Sequence, residues 1–154
     1  MLGCAGSGKT TFARRLSARL NVPFHCLDDI WQTDWTVADT SEFREILRAL
    51  HASDAWVSDG NFAAVTFDLR LPRADLVIWI ERPRLVCAWR AARRVFRPNE
   101  PHRLRDLPKA LRFIQGFDRV NRPRIETLRA QFGPNVPVVR LTDDRQAAAF
   151  IAQA

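Results

Sequence analysis

Lysine is nearly absent from this chain. Of its 24 basic residues only Lys9 and Lys109 are lysines, and the rest are arginine. Glycine is scarce too: there are six in 154 residues, and three of them stand at positions 3, 6 and 8. Cysteine occurs three times, at Cys4, Cys26 and Cys87. An odd number without metal-ligand spacing argues against a disulfide framework and a zinc site, and predicts reduced thiols in a cytoplasmic protein. No apolar run approaches the roughly 20 residues of a membrane helix; the longest aliphatic stretch is Leu76-Val77-Ile78-Trp79-Ile80. No signal peptide is expected, because the N-terminus opens directly into the glycine-rich stretch. The composition, 47% apolar and 27% charged, is a globular balance, and it predicts one domain over residues 1–154. The formal charge of +7 suits a nucleic-acid partner or a site that handles several phosphates. Charge alone does not choose between them.

The early glycines belong to Gly3-Cys4-Ala5-Gly6-Ser7-Gly8-Lys9-Thr10. This reads G-x-x-x-x-G-K-T, the phosphate-binding loop of nucleoside-triphosphate enzymes. Glycines allow positive φ and let backbone N–H groups curl around phosphate oxygens with no Cβ in the way. Lys9 supplies a point charge to the β- and γ-phosphates, and the Thr10 hydroxyl is placed to ligate Mg²⁺. The helix that follows turns its positive end toward the same anion. A chain that writes arginine almost everywhere still places lysine where the loop requires a compact ammonium. The alternative is a glycine-rich turn that merely caps a helix. On the phosphate reading, Gly3, Gly6, Ser7, Gly8, Lys9, Thr10 and Thr11 are the expected nucleotide-binding residues.

Downstream, Phe12, Leu16 and Leu20 recur at helical spacing, which predicts a helix over 9–20 that Asn21-Val22-Pro23 stops. Pro23-Phe24-His25-Cys26-Leu27 reads as a strand ending in Asp28-Asp29, with His25 a packing residue. Carboxylates at the C-terminal end of such a strand lie on the ligand side of an α/β sheet. Trp31 and Trp35 either line a substrate pocket or plug the edge of the core. Asp39-Thr40-Ser41-Glu42 is a capping box opening a helix to about residue 52, with Phe43, Ile46, Leu47 and Leu50 inward. Ala55-Trp56-Val57-Ser58 is a strand ending in Asp59-Gly60-Asn61. Asp59 there occupies the position of a Walker-B carboxylate, holding Mg²⁺ through water beside the loop hydroxyl; the alternative is a turn-forming Asp-Gly.

A short helix over 62–71 and an apolar strand over 74–80, of the kind buried on both faces of a parallel sheet, come next. An arginine-rich helix then runs from 84 to about 97. Arg90, Arg93, Arg94 and Arg97 share one of its faces, and Pro98-Asn99-Glu100-Pro101 ends it, with His102, Arg103 and Arg105 just beyond. Residues 84–106 thus read as a lid-like segment that covers phosphates and neutralises transition-state charge, or else as a solvated basic face. Residues 107–132 read as mostly helical with an interruption at Arg122-Pro123. A last strand over 136–141 leads to a helix capped by Asp143. Helix and strand alternate throughout, which predicts a parallel sheet with helices on both faces.

Taken together, these residues resemble the P-loop kinase superfamily, and within it the adenylate-kinase-like group known as DNA topology modulation proteins. The pieces that carry the resemblance are residues 3–11, Leu27-Asp28-x-Ile30-Trp31, Trp56-Val57-x-Asp59-Gly60-Asn61-Phe62, Arg70-Leu71-x-x-Ala74-Asp75-x-Val77-Ile78-x-Ile80 and Arg122-Pro123. The resemblance implies a three-layer α/β fold with strand order 2-3-1-4-5, ATP and Mg²⁺ as cofactors, and phosphoryl transfer to a nucleotide or other small acceptor. It assigns Thr10 and Asp59 to the metal, and Lys9, Asp28 and Asp59 to catalysis; the arginine-rich helix face adds Arg90 and Arg94 as catalytic candidates. A second expectation is a nucleic-acid-associated ATPase or regulator, which no nucleic-acid-binding motif in the chain supports; a third is a nucleotide-binding protein without turnover.

One departure concerns the first strand. A P-loop follows a strand of about five apolar residues, whereas only Met1-Leu2 precede Gly3. The expectation is a native start upstream, with Met1 inside the strand. A chain beginning at Met1 is expected to have a gap in its sheet, a loop anchored on one side only, weak stability and poor nucleotide binding.

Overall fold

The structure is a computed structural model, and it describes residues 1–31, 40–95 and 103–154. Trp35, Asp39, Arg97, the 98–101 segment and His102 lie outside the described residues.

Strands and helices alternate as the sequence predicts, and every strand pairing is parallel. Strand β4 (Val77–Ile80) lies between β1 (Leu2–Gly3) and β5 (Val138–Leu141), while β2 (Phe24–Cys26) pairs with β3 (Val57–Asp59). The register sets Leu2 opposite Trp79, Gly3 opposite Ile80 and Cys26 opposite Asp59.

Strand β1 does more than its length suggests. The backbone nitrogen of Met1 donates to the Ser58 carbonyl oxygen at 2.6 Å, and the Gly60 N–H reaches the Met1 carbonyl oxygen at 3.4 Å. These two bonds have the pattern of a parallel bridge and set β3 beside β1. Asn61 adds a second tie, since its side-chain oxygen accepts from the Gly3 N–H at 3.2 Å and its amide donates to the Gly3 carbonyl at 2.9 Å. The expected one-sided anchorage is therefore corrected. Backbone pairing to β4 and the Asn61 amide hold the loop from both flanks.

All four residues of β4 are buried, because helices cover both of its faces. Val77 and Trp79 face one way, into a cluster with Phe67, Cys87, Ile114, Phe117 and Ile125. These come from α4 (Ala63–Arg70), α5 (Arg84–Val95), α6 (Arg103–Gly116), a π-helical turn (Phe117–Asn121) and α7 (Arg122–Phe132). Ile78 and Ile80 face the other way, against Phe12, Ala13 and Leu16 of α1 (Lys9–Leu20). Phe150 and Ile151 of α8 (Asp144–Gln153) pack there too. Side chains alternate across a strand with period two, so a strand buried on both faces must be apolar throughout. A smaller cluster joins Leu27 to Phe43 and Leu47 of α3 (Thr40–Leu50).

Two local expectations are corrected. Asp28 and Asp29 stand in the first turn of a four-residue helix, α2 (Leu27–Ile30), instead of on a strand tip. The chain turns as soon as it leaves β2, and the Trp31 N–H closes on the Leu27 carbonyl at 2.9 Å. The interruption expected at Arg122-Pro123 comes earlier, at the π turn, and Pro123 sits in the first turn of α7. A proline inside a helix removes a bond to the preceding turn, and the wider π turn absorbs that loss. The three cysteines are free and buried. No helix among the described residues is long and apolar enough to cross a membrane.

Candidate active site

The loop between β1 and α1 is built from backbone conformations that side chains resist. Gly6 and Gly8 have φ of 77° and 94°. A Cβ on Gly6 would lie 2.3 Å from the Cys87 carbonyl oxygen, so α5 closes directly on the loop. Gly8 is the N-cap of α1, with no side chain bonded to the first turn and no acidic residue in it. The first bond back to the cap comes from the Phe12 N–H, 3.0 Å from the Gly8 carbonyl. The earlier amides, those of Lys9, Thr10 and Thr11, are left facing the loop as the first N–H groups of any helix are. Ser7 is buried, and its hydroxyl has no hydrogen-bond partner among the described residues.

At the start of α1 the Thr10 hydroxyl donates to Asp59 Oδ2 at 2.5 Å. Asp59 is fully buried at the end of β3, and its other oxygen, Oδ1, has no hydrogen-bond partner among the described residues. A buried carboxylate oxygen left open beside a glycine loop is an acceptor that a cation or its water shell would satisfy. Charge compensation comes from Arg70, itself buried, which donates to the Gly60 and Asn61 carbonyl oxygens at 2.9 Å each and to Thr66 Oγ1 at 2.9 Å. Burial lowers its guanidinium to about 10, with Asp59 pulling the other way. Arg70 therefore braces the Asp59-Gly60-Asn61 turn from behind.

Asp28 joins this group from α2. As a residue it is exposed, yet its carboxyl is desolvated enough within the site to titrate above the usual range. Asp59 and Asp29 push it further up, and Lys9 and Arg94 pull it back. The sequence-derived residues Lys9, Asp28, Asp59 and Arg94 thus share one electrostatic neighbourhood.

A cleft of about 410 Å³ opens on the other side of the loop, between α1, α5 and α8. Gly6, Ser7, Gly8 and Thr11 form its floor, and Arg15, Arg90, Arg93 and Arg94 stand around it. Arg90 donates to the Ser7 carbonyl oxygen at 3.3 Å and to Asp144 at 2.8 Å. Arg93 stacks over Trp89, 5.0 Å from the ring centroid. The first half of α5 is a fixed wall of the loop, through Cys87. Trp31 takes the core-plug role, packing edge-on against Phe43 at 5.0 Å and against Phe62 at 5.9 Å. His25 packs against His51, with ring centroids 5.4 Å apart.

Sequence reasoning missed Asn61, Arg70, Arg82 and Asp144 as parts of this site. Asn61 carried a signal, the Asp-Gly-Asn spelling, which turns out to encode the amide tie to Gly3. Neither the family models nor the curated proteins include a match to this chain.

Proposed function

We propose that the chain is a MgATP-binding P-loop enzyme of the kinase type, acting in the cytoplasm on a nucleotide or other small acceptor. The observation that carries the reading is the Thr10–Asp59 contact at the mouth of the glycine loop, with the second Asp59 oxygen buried and free. Strand order supports it as well. The strands form two sheets, β2-β3 and β1-β4-β5, and the Met1 bonds to Ser58 and Gly60 are the link that would join them in the order 2-3-1-4-5 of the resemblance.

The residues fit a hard cation held by oxygen. Thr10 and Asp59 supply two protein groups, and no cluster of three potential metal-ligating side chains was found among the described residues. Mg²⁺ takes its remaining ligands from phosphate and water in such sites and neutralises charge on the transferred phosphoryl group. On this reading the amides of the loop and Lys9 cradle the phosphates. Arg90 and Arg94 reach over the cleft to offset negative charge as it develops. The carboxyl of Asp28, raised above the usual range, is suited to accept a proton from an acceptor hydroxyl. A phosphate acceptor would not need that base, so dependence on Asp28 separates the two acceptor classes.

The test is ATP consumption with Mg²⁺ against nucleoside monophosphates, nucleosides and small hydroxy compounds. Turnover stimulated by one acceptor and reduced at least 100-fold in Lys9→Ala is the expected result. Tight ATP binding without acceptor-stimulated turnover would overturn the kinase reading and leave a nucleotide-dependent regulator, for which DNA is the next ligand to try.

A further inference from the structure

At the edge of the cleft one carboxylate holds two arginines. Asp144 Oδ1 accepts from Arg82 Nη2 at 2.8 Å, and its Oδ2 accepts from Arg90 Nη2 at 2.8 Å. The two arginines differ in freedom. The Arg82 side chain is 5% exposed, and its other terminal nitrogen donates to the Glu81 and Leu141 carbonyl oxygens at 2.7 and 2.8 Å. It is fixed to the ends of β4 and β5. The Arg90 side chain is 30% exposed, and its one further hydrogen bond among the described residues runs from Nη1 to the Ser7 carbonyl oxygen at 3.3 Å. That nitrogen lies over the loop, where a Cβ on Gly8 would come within 3.4 Å of it.

The Asp144 side chain is itself 73% exposed, and its place is set by the helix that carries it. It is the first residue of α8, whose N-terminus is closed by Asp143 Oδ1 accepting from the Gln146 N–H at 2.7 Å. A carboxylate in a first turn is also favoured by the helix dipole. The arginines draw the Asp144 carboxyl below its usual range, Arg82 most of all.

We infer that Asp144 is a positioning residue: it relays the rigidity of Arg82 to Arg90 and so holds the Arg90 guanidinium over the phosphate loop. The inference rests on the nucleotide reading of the cleft. A free arginine side chain carries about 2 kcal/mol of rotamer entropy that must be lost when it engages a phosphate. An arginine already tethered to Asp144 through Nη2 has lost much of it, while Nε and the second N–H of Nη1, whose other N–H makes the longer bond to the Ser7 carbonyl, remain for the ligand. A carboxylate so near an anion site would ordinarily repel the ligand. Here two guanidinium groups share its charge.

The experiment combines binding with a direct view of Arg90. Titration calorimetry with MgATP is run on the wild type, Asp144→Asn, Asp144→Glu, Arg90→Ala and the Asp144→Asn/Arg90→Ala double variant. The order of the Arg90 Nε–H group is followed by nitrogen relaxation in the nucleotide-free protein. Asp144→Asn is expected to weaken MgATP about tenfold and to release the Arg90 signal into fast motion, with Asp144→Glu restoring most of both. In the Arg90→Ala background the Asp144 substitution is expected to have no further effect, because coupled residues are not additive. Unchanged or tighter MgATP binding by Asp144→Asn, or an equal loss with and without Arg90, overturns the inference while leaving the nucleotide reading intact. A wild-type chain that binds no MgATP overturns both.

Discussion

Thr10 and Asp59 show how much a single pair of residues can decide. They are 49 positions apart in sequence, and the fold brings them to 2.5 Å. That the two would meet was legible in advance, because a hydroxyl just after the glycine loop and a carboxylate at the end of a parallel strand are both directed to the same edge of the sheet. Asn61 and Arg70 were not legible in the same way. An asparagine that bonds a distant glycine backbone, or an arginine that fills buried carbonyl acceptors, has a role set entirely by its tertiary partners. Asp59→Asn keeps the shape and the contact to Thr10 but removes the charge at the free oxygen. It is expected to lower Mg²⁺-dependent ATP affinity by about 10- to 100-fold, in the range of lost metal-site partners. Affinity measured with and without Mg²⁺ checks this. Equal losses in both conditions would show that Asp59 does not act through the metal.

Element by element, the short pieces were the hardest to read. Strands β2 and β3 and helices α1, α3 and α8 follow from apolar periodicity and capping residues, and they stand close to where the pattern puts them. Helix α2 has too few residues for any period to show, and the π turn is a response to Pro123 that spacing alone does not locate. Helix α5 lies directly against the loop, and that approach depends on Gly6. Gly6→Ala must place a Cβ 2.3 Å from the Cys87 carbonyl at a φ of 77°. The left-handed conformation alone costs an L-residue roughly 1–2 kcal/mol, and here α5 must also move away. A fall of about 4–8 °C in Tm is expected, taking the clash to bring the total to about 2 kcal/mol. MgATP binding should weaken as well, because Cys87 and Arg90 lie on the same helix. Thermal unfolding without nucleotide isolates the structural part; an unchanged Tm would mean that the loop and α5 are not in this contact in solution.

At the scale of the whole molecule, a pH signature lies away from the glycine loop, at His51. His51 is 2% exposed, with Nδ1 at 2.7 Å from the Leu47 carbonyl oxygen and Nε2 unpartnered among the described residues. Trp56 and His25 close over it at ring-centroid distances of 4.5 and 5.4 Å. Burial is the main cause that lowers its pKa to about 4; the Leu47 bond pulls it back up in part, and Arg70, His25 and Arg73 each push it down by less. His25 is lowered in the same direction, again chiefly by burial. The unfolded chain takes up these protons near pH 6.5, whereas the folded one resists them, so protonation favours unfolding. Stability is therefore full above about pH 6.5, falls as the pH drops toward about 4, and loses no more to His51 below that. A shift of this size corresponds to about 3 kcal/mol for His51 at the acid end of the window. Asp28 works in the opposite sense, since a carboxyl raised by folding is a better proton acceptor in the native state. That opposition makes the wild-type slope a mixture. Urea unfolding of the wild type and of His51→Leu between pH 7 and pH 4.5 separates the terms. The variant removes the ring that resists protonation, so its stability should fall less steeply with acid by close to one proton per molecule. Parallel slopes would show that the buried histidine is not the group through which acid loosens the His25–His51–Trp56 packing.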